Sequence, residues 1–250
     1  MSDTPAVPAT YADYADGRED PRFTEWLRAE SGDAWDDATT HEFARELHAD
    51  TLDDSVFGRY LLQDYAFVEH LVGLFGHAVG DAPTMAAKSR LVGFLATVTD
   101  DEDDFFRRSF AALDVPESRY TDPTLTEATV AFRDLIQRAA GEGGYAETLA
   151  VLVPAEWVYL SWATDDALAT AEGPDRFYLQ EWIDLHAVPE FVSFVGWLRS
   201  ELDREGAAAS ERRQARLAAL FTRTVDLEVA FFDAAYDGTQ TRAAPGTDGE

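Results

Sequence analysis

Apolar residues recur every three or four positions along most of this chain, which is the spacing of one face of an α-helix. Short joints rich in Gly, Pro and Asp interrupt the pattern and indicate helix ends. Between these joints the pattern predicts helices over residues 22–30, 34–48, 55–79, 84–113, 124–140, 145–171, 175–187, 189–205 and 210–236. No long stretch alternates apolar and polar residues as a half-buried strand does. The sequence therefore predicts an all-α protein.

The helical pattern occupies one continuous region, residues 21–237, and is missing at both ends of the chain. Residues 1–20 are rich in Ala, Pro, Tyr and Asp, and residues 238–250 read GTQTRAAPGTDGE. Segments without apolar periodicity bury too little surface to offset the entropy of ordering, so we expect both ends to be disordered. With 46% hydrophobic residues the region between them can form a single-domain helical bundle with a large core.

Three acidic residues stand inside the apolar stripes of predicted helices. Asp64, Glu156 and Glu228 each have apolar or aromatic residues three positions before and three positions after them. An unpaired carboxylate in a core costs several kcal/mol or takes up a proton, so a polar cavity shared by three helices explains the pattern better than packing does. The alternative is that each acid caps a helix, pairs with an arginine, or lies just outside the stripe.

The charge of the chain excludes some partners. It has 48 acidic and 20 basic residues, a net charge of −28, and only one lysine, Lys88. Nucleic acid and anionic membrane both require a basic face, so neither is expected as a partner. Small domains usually carry a net charge of about 2 to 8, and such an excess of acid predicts a protein solvated by high salt, as in a halophile. The N-terminal residues lack a signal-peptide pattern and no apolar stretch is long enough to span a membrane, so we expect a cytoplasmic protein.

The residue types present also limit the chemistry. Cysteine is absent, which excludes disulfides and thiol nucleophiles. The five histidines form neither a His-x-x-x-His nor a Glu-x-x-His pair, so we expect no metal and no cofactor. Aromatic residues are dense near the three acids. Such rings can hold a heteroaromatic ligand while carboxylates bind its ring nitrogens and amino groups.

Several segments together resemble the TenA/thiaminase II family. Residues 60–64 read YLLQD and match a YxxQD pattern, and residues 152–159 read LVPAEWVY and match LxPxxWxY. Residues 178–183 read YLQEWI, and Glu228 is followed by Phe232 and Tyr236. With His41, Glu42 and Phe43 before them, these segments follow the order and spacing of that family over roughly residues 41–236.

The resemblance implies an all-helical, haem-oxygenase-like fold, usually a homotetramer, that acts in salvage of the thiamin pyrimidine. Family members convert the aminomethyl group of an aminopyrimidine to hydroxymethyl. Asp64 matches the aspartate that binds the pyrimidine amino group and a ring nitrogen. Glu228 matches the buried glutamate that handles protons as the amine departs, and Tyr159 matches a tyrosine near the reacting centre.

The chain also departs from the family pattern. Ala155 stands where the thiaminase branch has its cysteine nucleophile, so the covalent route implied for that branch cannot operate. Phe67 and His186 stand where the family often has tyrosines. In these respects the chain is similar to the cysteine-free, TenA-E-like branch, in which a glutamate is thought to serve the chemistry.

These observations lead to one hypothesis for the site and two alternatives. Asp64 anchors an aminopyrimidine with an aminomethyl or formylaminomethyl group, and Glu156 and Glu228 share general acid and base work. Tyr159 and His186 orient these groups, and the ring slot is lined by Phe67, Trp157 and Phe232. One alternative is a pyrimidine-binding or regulatory protein without turnover. The other is a redox enzyme on the same fold.

Overall fold

Helices account for the regular structure of residues 7–170 and 173–237, which are the residues described by this computed structural model. The longer ones are α5 (Asp54–Asp81), α6 (Met85–Thr97), α9 (Glu127–Glu142), α10 (Tyr145–Ala163), α12 (Pro189–Ala207) and α13 (Glu211–Tyr236). The shorter ones are α1 (Tyr11–Ala15), α2 (Phe23–Glu30), α3 (Asp33–Thr39), α4 (Glu42–His48), α7 (Asp103–Ala112), α8 (Glu117–Tyr120) and α11 (Phe177–Leu185). A π-helical turn, Val98–Glu102, joins α6 to α7. No strand occurs in these residues, which confirms the predicted all-α helical bundle.

Helix α10 runs through the centre of the bundle. All of its residues except Leu160 and Ser161 are buried, and it packs against α5, α9, α12 and α13. A helix that is apolar around its whole circumference is stable only when neighbours cover every side, as they do here. A buried polar residue on α10 therefore faces protein rather than water, and Glu156 is one of these.

Two predicted helices differ from the observed ones in extent. The helix predicted over 34–48 divides into α3 and α4, because Thr40 and His41 leave the helical conformation and the His41 ring accepts a hydrogen bond from the Phe43 N–H at 3.1 Å. A side-chain acceptor at this position caps a new helix. The helix predicted over 145–171 ends earlier, at Ala163, and residue 171 lies outside the described residues.

The helix predicted over 84–113 is continuous but changes its winding. Its middle is the π-helical turn Val98–Glu102, so the side chains before and after this turn do not share one face as they would on a regular helix. The turn itself, VTDDE, contains neither Gly nor Pro, and the sequence pattern does not reveal the change. Single π-helical turns inside α-helices are frequent at functional sites.

The chain is ordered nearer its N-terminus than predicted. Within the expected disordered segment 1–20, helix α1 forms and the Tyr11 ring packs edge-on against Phe23 at 5.1 Å. The indole N–H of Trp26 donates a hydrogen bond to the Pro8 carbonyl at 3.0 Å. Residues 1–6 and the predicted disordered tail 238–250 lie outside the described residues. Within the described part, no helix has the length and apolar character needed to cross a membrane.

Candidate active site

A narrow cavity lies between α5, α10, α11 and the segment formed by α6 and the π-helical turn. Its lining residues come from these four places: Asp64, Phe67, Val68, Leu71, Phe94, Val98, Glu102, Ala155, Glu156, Tyr159, Trp182 and His186. The cavity volume is about 30 Å³. Pockets for drug-sized ligands measure about 300–1,000 Å³, so side chains around this cavity have to move before a ring can enter.

The structure buries all three acids that the apolar stripes single out. Asp64 on α5, Glu156 on α10 and Glu228 on α13 are 3%, 7% and 2% exposed. Each has one carboxyl oxygen that is buried without a hydrogen-bond partner: Oδ2 of Asp64, Oε1 of Glu156 and Oε1 of Glu228. Unpaired buried oxygens are costly, and Asp64 and Glu156 line the cavity, where a ligand can satisfy theirs, whereas Glu228 is not among the described lining residues.

Burial raises the pKa of each of these carboxyl groups well above its usual range. For Glu228 the negative charges of Asp64 and Glu156 raise the pKa further, and for Glu156 those of Glu102 and Asp64 do so. For Asp64, burial and Glu102 raise the pKa, while a hydrogen bond from Tyr60 partly opposes them. The raised pKa values favour the protonated, neutral form of these carboxyl groups more than exposure to water would.

Two tyrosines, one on α5 and one on α10, are hydrogen-bonded to each other beside the acids. The hydroxyls of Tyr60 and Tyr159 are 2.8 Å apart and hydrogen-bonded. Burial, together with the neighbouring charges of Asp64 and Glu228, raises the pKa of both phenols, so both hydroxyls keep their protons. Tyr159 lines the cavity, and Tyr60 lies behind it. The pair gives the site a polar, uncharged wall next to Asp64.

His186 is a neutral ring in the cavity wall. It follows α11, and its Nδ1 lies 2.8 Å from the Trp182 carbonyl, which makes Nδ1 the protonated nitrogen. Burial lowers the pKa of His186 to about 4, although the bond to that carbonyl opposes the shift. Near neutral pH the ring therefore offers Nε2 as a hydrogen-bond acceptor rather than a positive charge.

One of the three predicted slot residues lines the cavity, and the structure corrects the placement of the other two. Phe67 lines it. Trp157 lies about 100° around α10 from Glu156, and its ring packs 4.5 Å from Trp35 and under the Arg199 guanidinium at 3.6 Å. Phe232 is fully buried behind the tyrosine pair, 6.1 Å from the Tyr60 ring and 6.0 Å from Tyr159.

Several lining residues were not singled out from the sequence as site residues. Trp182 lies in the YLQEWI segment, where its ring stacks on Phe105 at 5.0 Å and meets His186 edge-on at 4.5 Å. Phe94, Val98 and Glu102 come from α6 and the π-helical turn. Glu102 belongs to the acidic run at residues 100–104, which is typical of a solvated surface, so no local signal separates it from its neighbours.

Ala155 also lines the cavity, beside Glu156. It presents only a methyl group where a longer side chain would point at a ligand. Among the described residues, no group of three or more His, Cys, Asp or Glu side chains is arranged to hold a metal ion. The reactive groups at hand in the described site are carboxyls, phenols and one neutral imidazole.

Three bacterial proteins that share one name are similar to this chain over most of its length. A protein from Halalkalibacterium halodurans named aminopyrimidine aminohydrolase is 27% identical over 209 residues, which cover 81% of this chain and 90% of that protein. A protein of the same name from Helicobacter pylori is 22% identical over 213 residues, covering 85% of this chain and 98% of that protein. Another from Bacillus subtilis is 21% identical over 215 residues, covering 86% and 90%.

Solved structures share the fold. A TenA homologue from P. horikoshii superposes with a TM-score of 0.75 at 23% identity, covering 87% of this chain and 99% of that one. A domain of unknown function with a heme oxygenase-like fold from Shewanella denitrificans superposes with a TM-score of 0.58 at 12% identity, covering 91% of this chain and 97% of that one. A model of the TENA/THI-4/PQQC family matches residues 28–238. Since that match spans most of the sequence, the chain belongs to the TENA/THI-4/PQQC family.

Proposed function

We propose that this protein hydrolyses an aminopyrimidine, converting an aminomethyl or formylaminomethyl substituent to hydroxymethyl, in thiamin salvage. The observation that carries the proposal is the group of three buried acids, each with an unpaired oxygen. An aminopyrimidine supplies amino N–H donors to such oxygens, and its flat ring suits the aromatic surface of Phe67 and Trp182. The names of the three relatives support the same substrate class.

The chemistry follows from the protonation of the acids. Asp64 binds the ring through the amino group and a ring nitrogen. Of Glu156 and Glu228, the one that is ionised takes a proton from water, while the other is protonated through its raised pKa and gives a proton to a departing nitrogen that is not already an ammonium group. The carbon–oxygen bond forms as the carbon–nitrogen bond breaks, so water is consumed and the nitrogen leaves as ammonia from the aminomethyl form or as formamide from the formylaminomethyl form. The Tyr159 hydroxyl and Nε2 of His186 orient the reacting groups.

The test is release of ammonia and hydroxymethylpyrimidine from 4-amino-5-aminomethyl-2-methylpyrimidine. We expect turnover by the wild type and a loss of about 10²-fold or more in kcat/KM for Asp64→Asn and for Glu228→Gln, because each removes a group that binds or transfers a proton. Both substitutions keep the side-chain shape and remove a buried acid, so the fold is retained. Glu69→Gln is the matched control, since Glu69 is exposed on α5.

Full activity in both variants would contradict the assignment of these acids. Binding of the pyrimidine with no product would identify a non-catalytic binder instead. Reduction or oxidation of the ligand without hydrolysis would identify the redox alternative.

Finer assignments accompany this proposal. We place the chain in the cysteine-free, TenA-E-like branch because it has no cysteine, and in a halophile's cytoplasm because its net charge is −28. We also propose a homotetramer. Met85 and Val92 on α6 and Val192 on α12 are exposed apolar residues, and the two helices are joined by the Arg90–Ser193 hydrogen bond. Light scattering that gives the mass of one chain in KCl would overturn the tetramer.

A further inference from the structure

A fourth carboxyl group reaches the cavity from the π-helical turn. Glu102 ends that turn, is half-buried, and lines the same cavity as Asp64 and Glu156. Its charge raises the pKa of both of these acids, so the three carboxyl groups are electrostatic neighbours. Glu102 lies outside the segments that resemble the TenA family, and the proposed reaction leaves it without a role.

Glu102 also lies at the boundary between the cavity and the surface. A groove of about 440 Å³ runs beside the cavity, lined by α6, the start of α12 and the residues before it. Two residues line both the groove and the cavity, Phe94 and Glu102. A ligand that passes from the groove into the narrow cavity therefore passes the Glu102 carboxyl group.

The charge around the cavity favours a cation. None of the described residues that line it is Lys or Arg, and three are acids. The one basic group in the lining, His186, is neutral near pH 7 because burial lowers its pKa to about 4. Several carboxyl groups in a small, poorly solvated space repel one another, and a positively charged ligand relieves that repulsion.

The aminomethyl and formylaminomethyl forms of the proposed substrate differ in charge. An alkyl primary amine has a pKa near that of lysine, about 10.4, and is an ammonium ion at neutral pH. Formylation converts it to an amide, which has no charge. A carboxylate binds an ammonium group through a charge-assisted hydrogen bond about twice as strong as its bond to a neutral N–H.

We propose that Glu102 binds the ammonium group of the substrate and makes the site prefer a cationic primary amine over its neutral formylated form. The inference rests on the proposed function for the identity of the ring. Glu102 is a specificity-determining residue in this account, while Asp64, Glu156 and Glu228 keep their roles at the ring and at the reacting carbon. The π-helical turn is what brings the carboxyl group to this position.

The test compares the two compounds directly. Dissociation constants and kcat/KM are measured for the aminomethyl and the formylaminomethyl pyrimidine with wild type, Glu102→Gln and Glu102→Asp. We expect Glu102→Gln to weaken binding of the ammonium compound about tenfold or more and binding of the formylated compound less than about twofold. Glu102→Asp keeps the charge and retains more of the preference than the glutamine variant does.

The control is Glu69→Gln, which removes one negative charge from an exposed position on α5. We expect it to leave unchanged the ratio between the dissociation constants of the two compounds. An equal loss for both compounds in Glu102→Gln, or no loss for either, overturns the inference. Charge-dependent binding without turnover in the wild type overturns the proposed function and leaves the inference intact. If the wild type binds neither compound, both fail.

Discussion

Burial changes the chemistry of the titratable residues that surround the cavity. Desolvation disfavours every charged form, so the pKa of Asp64, Glu156 and Glu228 rises and the pKa of His186 falls. The groups therefore act on stability in opposite directions. The acids favour the folded state at low pH, because it holds protons that the unfolded chain has released, whereas a neutral histidine favours it at higher pH.

His186 gives a pH effect with a definite sign. Its pKa is about 4 in the folded state and 6.5 in the unfolded chain, so between these values only the unfolded chain takes up the proton. Stability is therefore lost as pH falls through this window, by about 3 kcal/mol at most. We expect His186→Gln to lose less stability than wild type between pH 7 and pH 4.5 in urea unfolding.

The control for this measurement is His77→Gln, since His77 is exposed on α5. This variant removes a histidine from the surface rather than from the buried site, so the difference between the two variants reports on His186. A constant difference between His186→Gln and wild type at all pH values would show that His186 does not titrate as described.

Helices α2 and α12 approach each other closely at a glycine of α12. A Cβ at Gly206 on α12 would lie 2.1 Å from Cδ1 of Phe23 on α2, and Phe23 is fully buried. Gly196 lies on the same helix, exposed, with open space around its position. The two glycines separate the effect of packing from that of helix propensity.

We expect Gly206→Ala to destabilise the fold by about 1–3 kcal/mol, because the Phe23 ring has to move within a packed core. Gly196→Ala should instead stabilise it by about 0.5–1 kcal/mol, because alanine loses less backbone entropy in a helix. Denaturant unfolding of the two variants measures both values. Stabilisation by Gly206→Ala would mean that α2 and α12 are not in close contact at this point.

For the whole molecule, net charge is the dominant feature. A charge of −28 on 250 residues makes the compact state repel itself, and dissolved salt screens that repulsion. The one lysine, Lys88, is engaged by the carbonyls of Val79 and Gly80 at 2.5 and 2.6 Å, so it does not offset the acidic surface elsewhere.

We therefore expect the melting temperature to rise by about 10 °C or more between dilute buffer and multimolar KCl. Differential scanning calorimetry over a series of KCl concentrations measures the shift. A melting temperature that is unchanged across the series would contradict the proposed halophilic character of the protein.

The apolar pattern of the chain is enough to predict the helical class, the approximate extent of the long helices and the inward direction of three acids. Each of these depends on local periodicity, since residues three or four apart share a helix face whatever the helix packs against. Asp64, Glu156 and Glu228 could be identified for this reason. Trp157 was misplaced because one step along α10 turns a side chain by about 100°, away from the cavity and under Arg199.

The set of residues that surround the cavity depends on contacts between segments far apart in the chain. Glu102 reaches it because α6 passes into a π-helical turn at this point, and its sequence resembles any acidic surface segment. The neutral state of His186 results from burial, and the Trp182 carbonyl, although it opposes that state, fixes which ring nitrogen carries the proton. No spacing in the sequence reveals either effect. Solvent exclusion and contact between distant segments are properties of the folded chain, and they set both the shape and the protonation of this site.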